Sequence, residues 1–162
     1  MQAPAPTFRT AVASDLPAIV KLLADDPLGA QREAYAEPLP ASYCTAFAAI
    51  ERDPNNELMV AVGENDHVIG VLQMTFIPSL TYRGAWRALV EGVRVAAPFR
   101  STGVGRHLLL RAIQRARERG CHMLQLTSDK RRADAIRFYE SLGFVASHEG
   151  MKMHLPLVGV DA

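Results

Sequence analysis

The sequence predicts an α/β domain: a mixed sheet of about six to seven strands with helices on both faces. Three observations carry this. Apolar strand-like runs alternate with stretches of helical period along almost the whole chain. Their order, β-α-α-β-β-β-α-β-α-β-β, suits a sheet covered on both sides. One run, Ala88–Val95, passes through a glycine-rich turn straight into a strongly periodic helix near residues 104–119.

The first strand is expected at residues 7–12. Ser14 reads as the N-cap of a helix with Pro17 in its first turn, running to about Ala24. Ile19, Leu22 and Leu23 give that helix an apolar face. Residues 25–39, broken by Pro27 and Pro38, read as a loop with room for one helical turn. A second helix follows at 41–52, and Asp53-Pro54-Asn55-Asn56 is a turn signal. Residues 57–63 and 68–77 are strand-like, with a hairpin turn at 64–67 between them. After a connection at 81–84 come a strand at 86–95 and the helix near 104–119. A strand near 122–128 and a helix near 132–142 follow. Two short strands, near 145–146 and 151–155, end the chain.

Size and composition narrow the class. The 162 residues suffice for one substantial core. We expect a flexible lead at 1–6, a single domain at 7–157 and a tail at 158–162. Hydrophobic residues at 49% and charged ones at 22% suit a soluble globular protein. A net charge of +1 gives no drive toward non-specific nucleic-acid binding. No apolar run approaches the ~18 residues of a membrane span, so no membrane partner is expected. Met1–Pro6 lacks the basic and apolar regions of a signal peptide. Cys44 and Cys121 are too few for a disulfide framework or a zinc site. They are expected as buried thiols in a reducing cytoplasm. The five histidines show no metal-ligand spacing, so no metal is expected. Of these, His107 beside the glycine turn reads as a solvated or helix-capping residue.

Arg100-Ser101-Thr102-Gly103-Val104-Gly105-Arg106 is the segment that points to chemistry. The first-turn N–H groups of a helix have no intrahelical partners, and the helix dipole adds positive charge there. Gly103 and Gly105 let backbone approach a phosphate, and Arg100 and Arg106 add fixed charge. A Walker loop would need four residues between its glycines and then Gly-Lys-Ser/Thr. A dinucleotide fingerprint would need glycine at 108, where the chain has Leu. The pattern present is Arg-x-x-Gly-x-Gly.

That pattern resembles the pyrophosphate motif of the GCN5-related N-acetyltransferase family. A second segment, Ala135-Ile136-Arg137-Phe138-Tyr139-Glu140-Ser141-Leu142-Gly143-Phe144, resembles the family's late helix and the turn after it. Its Ala135, Phe138, Tyr139 and Leu142 share one helical face, and Gly143 sits where a C-cap belongs. Both motifs occur in the family's order.

The resemblance implies acetyl-CoA as cosubstrate and an N-acetyltransferase. The acceptor would be a primary amine of a small molecule. A protein amine is the alternative, as is a non-catalytic acyl-CoA-binding module. It implies Glu91 as general base and Tyr139 as general acid. A phenol is protonated at neutral pH and can donate. Glu91, among Leu89, Val90 and Val93, would be partly desolvated; equally, it could pair with Arg87 or Arg94. Residues 100–106 would hold the pyrophosphate, and the backbone of Val93, Arg94 and Val95 the pantetheine arm. Ser128 would line the gap beside the next strand. Many relatives place Asn where this chain has Arg132, which becomes a candidate contact to a CoA phosphate. Variable loops at 25–42 and 78–86 would build the acceptor site. There Asp25, Asp26, Glu33 and Glu37 are either attractors for a cationic amine or ordinary loop charges. Tyr82 and Trp86 would line the pocket or a dimer contact. A homodimer is a candidate assembly.

Overall fold

Strands β1 (Thr7–Thr10), β2 (Asn56–Val62), β3 (Val68–Pro78), β4 (Trp86–Val95) and β5 (Cys121–Leu126) lie side by side in chain order. The first three pairings are antiparallel. β4 and β5 are joined by a helix rather than a tight turn, the crossover that same-direction neighbours require. This computed structural model describes residues 6–156. It divides into two units, one ending at Gln125 and the other beginning at Leu126. Residues 1–5 and 157–162 lie outside the described residues, and with them nearly all of the expected lead and tail.

Both faces of the sheet in the first unit are covered. On one face Leu58, Val60, Val62, Val68 and Val71 pack against helices α1 (Leu16–Ala24) and α3 (Ala41–Arg52), through Leu16, Ile19, Val20, Leu22 and Phe47. A short helix, α2 (Pro27–Ala30), lies between those two. On the other face lies α5 (Val104–Glu118), with Leu108, Leu109, Ala112 and Ala116 buried. Gly70 sets how closely α5 approaches: a Cβ there would lie 2.9 Å from Leu108 Cδ1 and 3.3 Å from the Arg94 carbonyl oxygen. The far end of α5 is pinned to the sheet. Arg115 Nη2 donates to Glu57 at 2.6 Å, and the Arg119 guanidinium stacks over Phe76 at 4.2 Å.

Ser14 does not cap α1. It lies inside a single 3-10 turn, Ala13–Asp15, and Asp15 organises the entry instead. Its Oδ2 accepts from the Val12 amide at 2.8 Å and from Arg9 Nη1 at 2.6 Å. The Arg9 guanidinium holds the buried Asp15 carboxyl below its usual range. Between β3 and β4 a single turn, α4 (Thr81–Gly84), is left-handed at Tyr82, Arg83 and Gly84.

In the second unit α6 (Ala133–Glu140) is closed by Gly143 at φ 93. The Gly143 amide donates to Glu140 O at 3.0 Å and the Phe144 amide to Tyr139 O at 3.2 Å, the expected C-cap.

Two expectations are corrected. Residues 145–156 form no strand, so the described residues hold five strands rather than six to seven. Val145, Met151, Met153 and Leu155 are exposed. Alternation supplies a tendency to extend, but a strand exists through its ladder partner. Cys44 is exposed and Cys121 only half-buried, because Cys44 falls on the solvent side of α3.

Candidate active site

β4 changes character near its end. Opposite it, β3 spends two steps from Val71 to Gln73 while β4 spends three, from Arg94 to Glu91. The extra residue makes a bulge, and Gly92 adopts φ 61 to form it. Glu91, paired with Gln73, sits just before the bulge and is exposed. The apolar enclosure expected around Glu91 is therefore missing. The pairing with an arginine is missing too. Arg94 Nε faces Asp26 at 3.0 Å, and Arg87 donates to Ser79 at 2.5 Å. Among the described residues Glu91 makes no ion pair.

Beyond the bulge the chain turns into α5. Ser101 (φ 62) and Gly103 (φ 98) are both left-handed, and Gly103 is the N-cap. No side chain caps this helix, so its first-turn N–H groups keep their donors for a ligand. Thr102 Oγ1 is spent locally, donating to Phe99 O at 2.7 Å. His107 Nδ1 lies 3.0 Å from Gly103 O, a local contact at the helix start. Val104 is buried and anchors the turn, while Arg106 is exposed. The arrangement fits a pyrophosphate: an uncapped helix N-terminus, two left-handed residues, and a flanking cation.

Arg100 does more than its motif suggests. Its Nε donates to Val95 O at 3.0 Å, and its Nη2 donates to Asp25 O at 3.1 Å and Asp25 Oδ2 at 3.0 Å. It therefore staples the end of β4 to the C-cap of α1. Val93 O likewise accepts from Arg94 Nη1 at 2.8 Å. Two of the carbonyls expected to face the pantetheine arm thus already carry an arginine.

The four loop acids are engaged as well. Asp25 holds Arg100, and Asp26 faces Arg94 and caps α2 by accepting from the Gly29 amide at 2.7 Å. Glu33 accepts from the Tyr43 hydroxyl at 3.0 Å, and Glu37 from that of Tyr35 at 2.6 Å. Each of the four thus has a structural partner.

Sequence reasoning missed a polar row beside Glu91. Asn56 Nδ2 donates to Asp53 Oδ2 at 2.6 Å. Asn56 Oδ1 accepts from Gln73 Nε2 at 3.1 Å and from Thr75 Oγ1 at 2.9 Å. Register alone brings Gln73 opposite Glu91. His122 was also passed over: its ring lies 4.6 Å from that of Tyr82, and its Nδ1 lies 2.8 Å from Trp86 O. No signal in the local sequence announces either grouping.

Ser128, Arg132 and Tyr139 belong to the second unit. Ser128 follows β5 and is half-buried. Arg132 stands at the N-cap of α6. Tyr139 is half-buried between Phe138, with ring centroids 5.3 Å apart, and Phe144 at 5.9 Å. Among the described residues no cluster of His, Cys, Asp or Glu could hold a metal, and no helix is long and apolar enough to cross a membrane.

A family model described as Acetyltransferase (GNAT) family matches residues 17–144, most of the chain. The chain belongs to this family. The GNAT match takes in β2–β5, the bulge, the open end of α5, and α6. A crystal structure described as a transcriptional regulator from Bacillus halodurans C-125 is 55% identical, with a TM-score of 0.90, covering 93% of this chain and 99% of that one. The aminoalkylphosphonate N-acetyltransferase of Salmonella typhimurium is 31% identical over 102 residues, 63% of this GNAT chain and 65% of that protein. The glucosamine 6-phosphate N-acetyltransferase of Trypanosoma brucei brucei is 28% identical over 88 residues, 54% and 58% of the two chains. The matches thus span less than two thirds of these curated relatives.

Proposed function

We propose that this protein is an acetyl-CoA-dependent N-acetyltransferase that acetylates a primary amine of a small molecule. The observation that carries the reading is the course of β4. It presents an exposed carboxylate that makes no ion pair among the described residues, bulges, and runs into a helix N-terminus that no described side chain caps. The two curated relatives act, by their names, on small amines.

Acetyl-CoA supplies an acyl group already activated as a thioester. The residues of this chain do the rest. The N–H groups of α5, with Arg106 and the free edge of Arg100, hold the pyrophosphate. Glu91 takes one proton from the entering ammonium, which frees a lone pair. As the C–N bond forms and the C–S bond breaks, the nitrogen sheds a second proton. Tyr139 protonates the departing sulfur. Of the two protons lost, one is accounted for on the thiol and one in solvent. Ser128 and Arg132 complete the cosubstrate contacts. The reading includes a cytoplasmic home, where an exposed thiol such as Cys44 stays reduced, and a homodimer, which sedimentation would test.

One observation favours a second reading, a regulator that binds acyl-CoA without turnover: the 55% identical structure is described as a transcriptional regulator. A single pair of measurements separates the two. Acetyl-CoA at ~100 times its Kd should stabilise the fold by about 2.7 kcal/mol. Gly105→Asp serves as the control, because an acid in the first turn suits the helix dipole yet repels phosphate. It should keep the midpoint of the free protein and lose the shift. Thiol release with an amine panel then decides between enzyme and regulator. No shift with the unaltered chain would remove both readings.

A further inference from the structure

We infer that Gln73 is a specificity-determining residue, which holds one N–H of the acceptor amine while Glu91 takes the other and so restricts the enzyme to primary amines. The inference rests on the acetyltransferase reading above and extends it to the acceptor.

The polarity of the polar row is fixed from its far end. Asp53 is a carboxylate and can only accept, so the Asn56 group facing it at 2.6 Å is the NH2. Asn56 then turns its carbonyl oxygen toward β3, where it accepts from Gln73 Nε2 at 3.1 Å and from Thr75 Oγ1 at 2.9 Å. Thr75 supplies a second donor to that oxygen, which reinforces the direction. Gln73 is thereby committed to giving its NH2 to Asn56. Its remaining polar atom, Oε1, is an acceptor. No hydrogen bond to that oxygen occurs among the described residues.

Register places Gln73 opposite Glu91. The two residues are direct cross-strand partners on one face of the β3–β4 ladder, where opposed Cβ atoms lie about 5 Å apart. A carboxylate and an oriented amide oxygen side by side offer two acceptors and no donor. That suits a nitrogen with two N–H groups to give. A primary amine still carries two once it has its lone pair, whereas a secondary amine carries one. One of those two N–H protons is shed as the C–N bond forms and the other stays hydrogen-bonded to Gln73; a secondary amine has a single N–H and cannot do both.

The experiment compares 2-aminoethylphosphonate with its N-methyl derivative as acceptors, following thiol release at saturating acetyl-CoA. Gln73→Met keeps the length of the side chain and removes the oriented oxygen. We expect KM for the primary amine to rise about tenfold, the worth of one hydrogen bond to a charged group. KM for acetyl-CoA should stay unchanged and the preference for primary over secondary amine should collapse. Asp53→Ala, which touches no substrate, releases the Asn56 amide to turn over and should move the same ratio in the same direction. It also covers the case in which the Met variant folds poorly, which thermal midpoints report. An unchanged amine KM and ratio in both variants, with the unaltered enzyme active, would overturn the inference alone. No thiol release by the unaltered chain, with acetyl-CoA still bound, would overturn it together with the enzymatic reading.

Discussion

Glu91 and Tyr139 are separable from cosubstrate binding by substitution, because neither lies in the turn at residues 100–106. Glu91→Gln and Tyr139→Phe preserve shape and remove a proton acceptor and a proton donor. Each should lower kcat by about 10²-fold while the thermal shift with acetyl-CoA persists; a lost shift would assign them to binding instead. Asp15 makes a prediction about pH. Its folded carboxyl is held below the usual value by Arg9, so its contribution is complete above the ordinary carboxylate range and fades as pH falls through the depressed one. Asp15→Asn should cost about 2 kcal/mol at neutral pH and flatten the acid limb of a stability profile measured by urea melts. At this scale the sequence was informative where chemistry is local. The glycines and arginines of 100–106 declare themselves by spacing. Gln73 did not, because its partnership with Glu91 depends on a strand register that no local pattern states.

At the scale of elements, close backbone approach decides more than propensity. A Cβ on Gly29 would sit 2.1 Å from the Leu23 carbonyl oxygen, so α2 is pressed directly onto the end of α1. Gly29→Ala should cost about 2 kcal/mol through that overlap, visible as a lower midpoint with helix content kept. Helix 41–52 and strand 86–95 were legible to the residue because each has a clear period and a turn at its end. The short terminal runs at 145–146 and 151–155 were read from alternation alone, which cannot supply a neighbour. The cap of α1 was misassigned for a related reason: Ser14 has the right chemistry, but Asp15 has the arginine.

For the whole molecule, α5 is the element on which core and candidate site both depend. Leu108 is fully buried beneath it. Leu108→Ala should remove about 3 kcal/mol, lowering the midpoint by roughly 9 °C, and should weaken acetyl-CoA binding with it because the phosphate turn is the start of the same helix. The extra residue at Gly92 has a consequence of a different kind. Side chains on a strand alternate, so a single inserted residue acts as a change of parity. Glu91 and Arg94, an odd number of positions apart, would point to opposite faces of an uninterrupted strand. With the insertion both look the same way, one an open carboxylate and the other clasped by Asp26. The same residues held in an unbroken ladder would keep every charge and still turn the Arg94 side chain into the apolar layer under α5. In this strand the count of residues, as much as their identity, is inherited chemistry.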